Sequence, residues 1–248
     1  MNFSDRPEKT YKLHKDISLL SEQFAEVEPD FKEKITKYLK KSVSLYKDTV
    51  DKVIKTNFES HLHYLITLAS VNPAHLPVLF KNFWQQVEKH FDSKEAQQIV
   101  SLIAFFLGRT PFDTSAVYTL LSHIEFVHDG YYNVKGGMYQ IVAGLVDELK
   151  KAGVTIHYDV EITGRVEDNG KLKALVDKNG IEWSADAYVI NSDAAQFRGK
   201  VFNRPKYSPE KLAKMDWTMG YLTFYIGVKK KLPQVNHHNY FLGNNYKD

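Results

Sequence analysis

Cysteine is absent from this 248-residue chain. Without thiolates there is no disulfide framework, no Cys-ligated zinc or iron–sulfur cluster and no cysteine nucleophile. The absence accords with a reducing compartment. Glycine (13) and proline (8) are too few for a collagen or a low-complexity linker. An excess of one charge is lacking as well. The 33 basic residues meet 30 acidic ones, residues 1–128 balance, and the whole surplus of three falls in the remainder. The densest basic run, Lys229-Lys230-Lys231, reads as a solvated strand end, not as the concentrated basic face that nucleic acid requires, so no nucleic-acid partner is expected. The sequence also lacks G-x-S-x-G, a P-loop, H-E-x-x-H and G-x-G-x-x-G. The last absence means that the chain by itself cannot make the pyrophosphate turn of a dinucleotide fold. His61/His63 and His237/His238 are close pairs with no suitably spaced third ligand, so no metal is expected.

Long apolar runs are scarce. Ser60–Phe80 holds no Asp, Glu, Lys or Arg, but it carries His61, His63, Asn72, Pro73, His75 and Pro77. These groups are costly at bilayer depth. The segment reads as two short helices meeting at Asn72-Pro73, buried by default, with a membrane surface as the alternative. Met1 to Thr10 is polar and charged and does not read as a signal peptide.

What the chain does have is aromatic mass, with 15 Tyr, 15 Phe and 3 Trp against an ordinary 43% hydrophobic and 25% charged content. Such a content suits a large apolar pocket or surface. Up to about residue 131 the periodicity is helical. Phe31, Ile35, Tyr38, Leu39 and Ser42, then Tyr46, Val50, Val53 and Ile54, mark one long amphipathic helix after Pro29. Asp92-Ser93-Lys94-Glu95 has the form of a capping box with Asp92 as N-cap, and Gly108 is the stop signal. After residue 130 the pattern changes. Gly136-Gly137 precedes a helix with an apolar face of Met138, Ile141, Val142, Leu145, Val146 and Leu149, closed by Gly153. Val154–Tyr158 reads as a strand. Ile162–Val166, Leu172–Val176 and Ile181–Trp183 follow as a three-stranded meander with turns at Asp168-Asn169-Gly170 and Asn179-Gly180. Ala187–Ile190 is an unrelieved apolar strand of the kind buried on both faces. Ser208-Pro209 opens a short helix, and Tyr221–Val228 is a strongly apolar strand.

Four segments resemble the phytoene desaturase (carotenoid desaturase) family of flavoproteins. They are Phe105–Thr114 with Ala116–Leu120, Gly130–Met138, Val189–Asp193, and Tyr225–Val228 through His237-His238-Asn239. They occur in the family's order, and the match that they mark covers nearly all of the chain. One departure is Asn133-Val134, where the family has proline, which leaves the substrate's identity open. The resemblance implies a mixed α/β fold (α/β, α+β mixed) in three parts. Residues 1–130 are a helical, membrane-associated substrate-binding part. Residues 131–200 are part of an FAD-binding Rossmann-like domain with a three-stranded antiparallel meander, and 201–248 are the start of a substrate-domain sheet.

It further implies an FAD-dependent oxidoreductase that makes or rearranges double bonds in a long polyene, peripherally bound to the cytoplasmic side of a membrane. The chain corresponds to the middle of such an enzyme, so the N- and C-terminal parts are expected as partners, along with the lipophilic polyene and the membrane surface. Polyene isomerisation or saturation on the same scaffold, and a non-catalytic lipid-binding helical module, are the alternatives. The implied cofactor contacts are Val160 (adenine, through its backbone), Gly136, Gly137, Asn191 and Asp193. The implied substrate contacts are Phe105, Phe106, Tyr131, Tyr132 and Tyr225. Arg109 and Asp113 are the polar candidates near the chemistry, with a turn-supporting surface ion pair as the other reading.

Overall fold

The computed structural model describes residues 1–127, 132–218, 220–236, 238–243 and 246. Tyr131 and His237, both picked out above, lie outside the described residues. The chain divides into two compact units, Met1–Tyr132 with Thr218–Asp248, and Asn133–Trp217.

The first unit is helical around an aromatic core. The helix Phe31–Thr49 buries Phe31, Ile35, Tyr38, Leu39, Ser42, Leu45 and Thr49 at three- and four-residue steps, and its lysines other than Lys34 face solvent. Rings continue the core across elements. Phe24 stacks on Phe31 at 4.0 Å, Phe31 meets Phe91, and Phe91 meets the edge of Tyr38. Each such buried aliphatic or aromatic side chain contributes about 1.5–3 kcal/mol. The polar N-terminus is not idle. Asn2–Phe3 pairs antiparallel with Arg6–Thr10 and parallel with Phe241–Leu242.

Two sequence expectations change here. The helix Lys94–Ser101 is capped by Ser93, whose hydroxyl accepts from the Ala96 N–H at 3.3 Å; Asp92 is not its cap. The reason is Glu28. Its buried carboxylate accepts from the Asp92 and Ser93 N–H groups at 2.9 and 3.1 Å, and Lys34 draws the Asp92 carboxylate away at 2.6 Å. The helix then tightens to a 3₁₀ turn, Leu102–Leu107, and stops at left-handed Gly108.

Ser60–Phe80 does form two helices, His61–Ala69 and the 3₁₀ helix Pro73–Phe80, joined at Asn72, but neither buries a residue. Burial, the default expectation, is overturned. Leu62, Leu65, Ile66, Leu76, Leu79 and Phe80 are exposed, Phe80 to 86%. No described helix is long and apolar enough to cross a membrane.

The second unit holds the meander. Ile162–Asp168, Lys171–Asp177 and Glu182–Trp183 pair antiparallel in sequence order. Asn169 and Gly170, both at positive φ (49° and 75°), make its first turn. At the second turn Asp177 Oδ1 accepts from the Asn179 and Ile181 N–H groups. The helix Tyr139–Lys151 forms as its pattern predicts, yet none of its residues is buried.

Three expected strands form no ladder among the described residues: 154–158, 187–190 and 221–228. A strand exists only through a ladder, and no described segment offers one to these three. The apolar side chains stand out accordingly, with Val189 at 93% exposure and Tyr225 at 97%. The architecture is mixed α/β with a three-stranded antiparallel sheet, as expected.

Candidate functional site

In the second unit, backbone geometry comes first. Gly136 (φ 86°) and Gly137 (φ 93°) both lie in the left-handed region that side chains resist. A Cβ on Gly136 would meet Gln140 Cγ at 3.1 Å, whereas one on Gly137 would meet nothing within 4 Å. Gly137 therefore owes its place to conformation and leaves an open approach to the main chain at the start of the helix Tyr139–Lys151.

Asp159 is also left-handed (φ 58°), a conformation that Asp tolerates better than most residues. The turn it makes leaves Val160 exposed, with no hydrogen bond on its N–H or C=O among the described residues. Directly after it, Glu161, Ile162 and Thr163 form one wall of a cleft of about 350 Å³. Ser192, Asp193, Gln196, Phe197, Lys200 and Val201 form the other. Asp193 Oδ1 accepts from the Gln196 N–H at 2.7 Å and caps the short helix there. Asn191 is exposed at the cleft's edge in sequence. The structure thus joins the segment after Val160 to the Ser192-Asp193 end. Gly136 and Gly137 are not among the residues lining that cleft.

An adenine edge needs one backbone donor and one acceptor held free of other partners. Val160 offers both, and Gly137, at the start of the helix Tyr139–Lys151, leaves its main chain open to close approach. The residues present fit the adenine side of FAD.

In the first unit, Phe105 packs against the core and its carbonyl accepts from the Tyr221 hydroxyl at 3.2 Å. Phe106 is exposed and lines a cleft of about 430 Å³. The other walls of that cleft come from Tyr11–His14, Leu102, Glu125, Asn236, His238 and Tyr240. Burial, and then the Glu125 carboxylate, raise the Tyr240 phenol above its ordinary value. Tyr132 and Tyr225 are exposed.

Arg109 is exposed and makes no ion pair among the described residues. Asp113 instead accepts from the Thr110 hydroxyl at 2.7 Å and closes the turn on its own. The turn-supporting role therefore falls to Asp113 and Thr110, and the Arg109–Asp113 pair is not formed.

Sequence reasoning did not pick out Glu125, Tyr240, Leu102 or Tyr11. Five separated stretches, Met1 among them, supply this cleft, and no spacing rule links them. The parallel pairing of Asn2–Phe3 with Phe241–Leu242 brings the first and last of these stretches to one place.

Residues 32–239 match the family described as flavin containing amine oxidoreductase. The phytoene desaturase of Phycomyces blakesleeanus is 26% identical over 95% of this chain and 41% of its own length. The zeta-carotene-forming phytoene desaturase of Myxococcus xanthus is 23% identical over 100% of this chain and 47% of its own length. The 1-hydroxycarotenoid 3,4-desaturase of a Flavobacterium species is 24% identical over 94% of this chain and 47% of its own length. The chain therefore spans less than half the length of these relatives.

Proposed function

We propose, from the premise that the chain belongs to the flavin containing amine oxidoreductase family, that it is the middle portion of an FAD-dependent desaturase acting on a long carotenoid polyene. The observation that carries the reading is the free backbone at Val160, held outward by left-handed Asp159 and followed by the cleft of Glu161–Thr163 and Ser192–Asp193. When bound, FAD supplies the acceptor for hydrogen removed from a saturated carbon pair.

This chain's residues bind and orient. The Val160 N–H and C=O hold the adenine edge, while Asn191 and Asp193 offer polar contacts to the cofactor. Gly136 and Gly137 let the main chain lie close to a ring. Phe105, Phe106, Tyr132 and Tyr225 give the polyene an apolar, aromatic path and exclude water from it. Arg109 and Asp113 are the polar groups beside that path, with Asp113 fixing the turn.

The exposed Leu62, Leu65, Ile66, Leu76, Leu79 and Phe80 support peripheral association with the cytoplasmic face of a membrane. An apolar patch of this kind on two short helices suits the headgroup boundary. The remaining N- and C-terminal parts of the enzyme are the partners that would cover the unpaired segments 154–158, 187–190 and 221–228.

The test joins the chain to segments that complete a relative's length and measures bound flavin and conversion of phytoene. Val160→Ala should keep both, since the backbone is retained. Val160→Pro deletes the N–H and should lower flavin per protein severalfold. A joined protein that folds but takes up no flavin, or equal flavin in both variants, would refute the reading.

A further inference from the structure

One lysine of the first unit has a partner unlike the others. Along residues 31–55, Lys34, Lys52 and Lys55 pair with carboxylates at 2.6–2.9 Å. Lys41, exposed on the helix Phe31–Thr49, meets no carboxylate among the described residues, and its Nζ lies 3.1 Å from His90 Nε2 instead. The tautomer of that ring is fixed. His90 Nδ1 lies 2.8 Å from the Gln86 carbonyl, which can only accept, so Nδ1 carries the hydrogen and Nε2 turns its lone pair to the ammonium. The edge-on contact with buried Tyr38, centroids 5.4 Å apart, holds the imidazole plane. His90 is only 8% exposed. Lys37, one helical turn back, and Lys89, beside His90 at the end of the helix Phe83–Glu88, are exposed and have no carboxylate partner among the described residues. Burial, then Lys89 and Lys37, lower the Lys41 ammonium below its ordinary value. Burial raises the Tyr38 phenol, so it stays neutral and brings no opposing charge.

We propose that Lys41 is a nucleophilic amine with His90 as its proton acceptor, and that it forms an imine with small aldehydes bearing a phosphate or carboxylate. The inference does not depend on the polyene reading. A nucleophile, a base within hydrogen-bond reach and a third group that orients the base are the parts an activated nucleophile needs. Here they are Lys41 Nζ, His90 Nε2 and the Gln86 carbonyl. The ammonium passes a proton to Nε2. The freed lone pair then attacks the aldehyde carbon, a C–N bond forms, and the C=O π pair moves to oxygen, which takes a proton. The carbinolamine loses its hydroxyl with a proton as water and leaves a protonated imine. One ammonium and one aldehyde thus give one iminium and one water, with no oxidant or reductant. Lys37 and Lys89 supply the charge that draws the anionic group of the aldehyde to the same surface.

The experiment treats the full 248-residue chain with limiting pyridoxal phosphate, fixes the imine with borohydride and reads each lysine by peptide mass spectrometry. Lys40, exposed at the next position and without an imidazole partner, is the internal reference. Lys41 should take up about fivefold more label than Lys40 at neutral pH, the effect of somewhat under one pKa unit, and its labelling should rise at lower pH than that of Lys40. In His90→Gln, which cannot take the proton, the excess should fall to about twofold or less. Lys89→Gln changes an exposed side chain, so it keeps the test open if the His90 variant fails to fold, and it should lower the excess and move the Lys41 profile to higher pH. Propionaldehyde, which carries no anion, should show a smaller Lys41 excess, and an equal one would overturn the preference for anionic aldehydes. No excess at Lys41, a pH profile matching that of Lys40, or an excess that survives both variants would overturn the proposal as a whole.

Discussion

Glu28→Ala tests whether a single buried carboxylate organises the start of the helix Lys94–Ser101. Glu28 is 2% exposed. It accepts from the Asp92 and Ser93 N–H groups at 2.9 and 3.1 Å, from the Ser93 hydroxyl, and from Lys34 Nζ at 2.8 Å. Alanine removes four acceptor contacts and strands two backbone donors, each at a cost of about 1–3 kcal/mol where water cannot replace the partner. Asp92 is largely solvent-facing, so water partly serves its N–H. Lys34 keeps Asp30 and Asp92 at 2.9 and 2.6 Å, so no ammonium is left alone.

The sum is a loss of about 3 kcal/mol, at the low end for breaking a buried pair. With a urea slope of about 2 kcal/mol per molar, the midpoint followed by far-ultraviolet circular dichroism should fall by roughly 1.5 M. Glu28→Gln keeps one acceptor oxygen but sets an amide NH₂ against the Ser93 donors, so an intermediate loss is expected. A Glu28→Ala midpoint within about 0.5 M of the parent, at unchanged slope, would refute the assignment.

Burial, opposed by the Gln86 carbonyl but helped by Lys41, Lys89 and Lys37, lowers the pKa of His90 from its ordinary 6.5. The folded state thus prefers neutral His90. Its share of stability is complete above pH 6.5 and drains as pH falls from there toward the folded value, a slope that thermal melts should show and His90→Gln should flatten. Burial alone would raise the Asp177 carboxyl, but hydrogen bonds from Ile181, Trp183 and Asn179 outweigh it and hold it below its ordinary 3.8. Its stabilisation is therefore present above pH 3.8 and lost as pH falls through the depressed folded value; acid titration of Asp177→Asn should lack that step. Gly108→Ala places a Cβ at φ +69°, 3.2 Å from Thr218 Cβ, and should cost about 1–2 kcal/mol in urea unfolding. A neutral result would mean that the turn relaxes.

Local chemistry was readable from the sequence wherever the cause was itself local. The helix after Pro29, as far as Thr49, the glycine stops at 108 and 153, and the Asn169-Gly170 turn follow from spacing and φ preference and appear, whereas Val50–Ile54, expected to continue that helix, form a π turn that buries nothing. Asp92 and Glu28 mark where such reading fails. A cap is decided by which carboxylate reaches the free N–H groups, and Glu28 arrives from 64 residues away. Apolar patterning also signals burial without saying against what. Val189 and Ile190 carry the pattern of a strand covered on both faces, and they stand exposed because no described segment covers them. At the candidate site, Val160 could be named from sequence resemblance. The left-handed turn at Asp159 that presents it could not.

The parallel pairing of Asn2–Phe3 with Phe241–Leu242 bears on the order of events during synthesis. The first unit is written in two instalments, with the 85 residues of Asn133–Trp217 between them. At about 5–20 residues per second, Phe3 waits roughly 12–50 s for Leu242 to leave the ribosome. The meander, whose partners are neighbours in sequence, can close within that interval. The first unit can gather its helices early but cannot finish its sheet, nor set Tyr246 against Trp84 and Ser101, until residues 241–246 have been made. The inner unit is therefore a folded passenger while its host is still incomplete, and a pause in translation before residue 241 would prolong the exposure of the host's open edge.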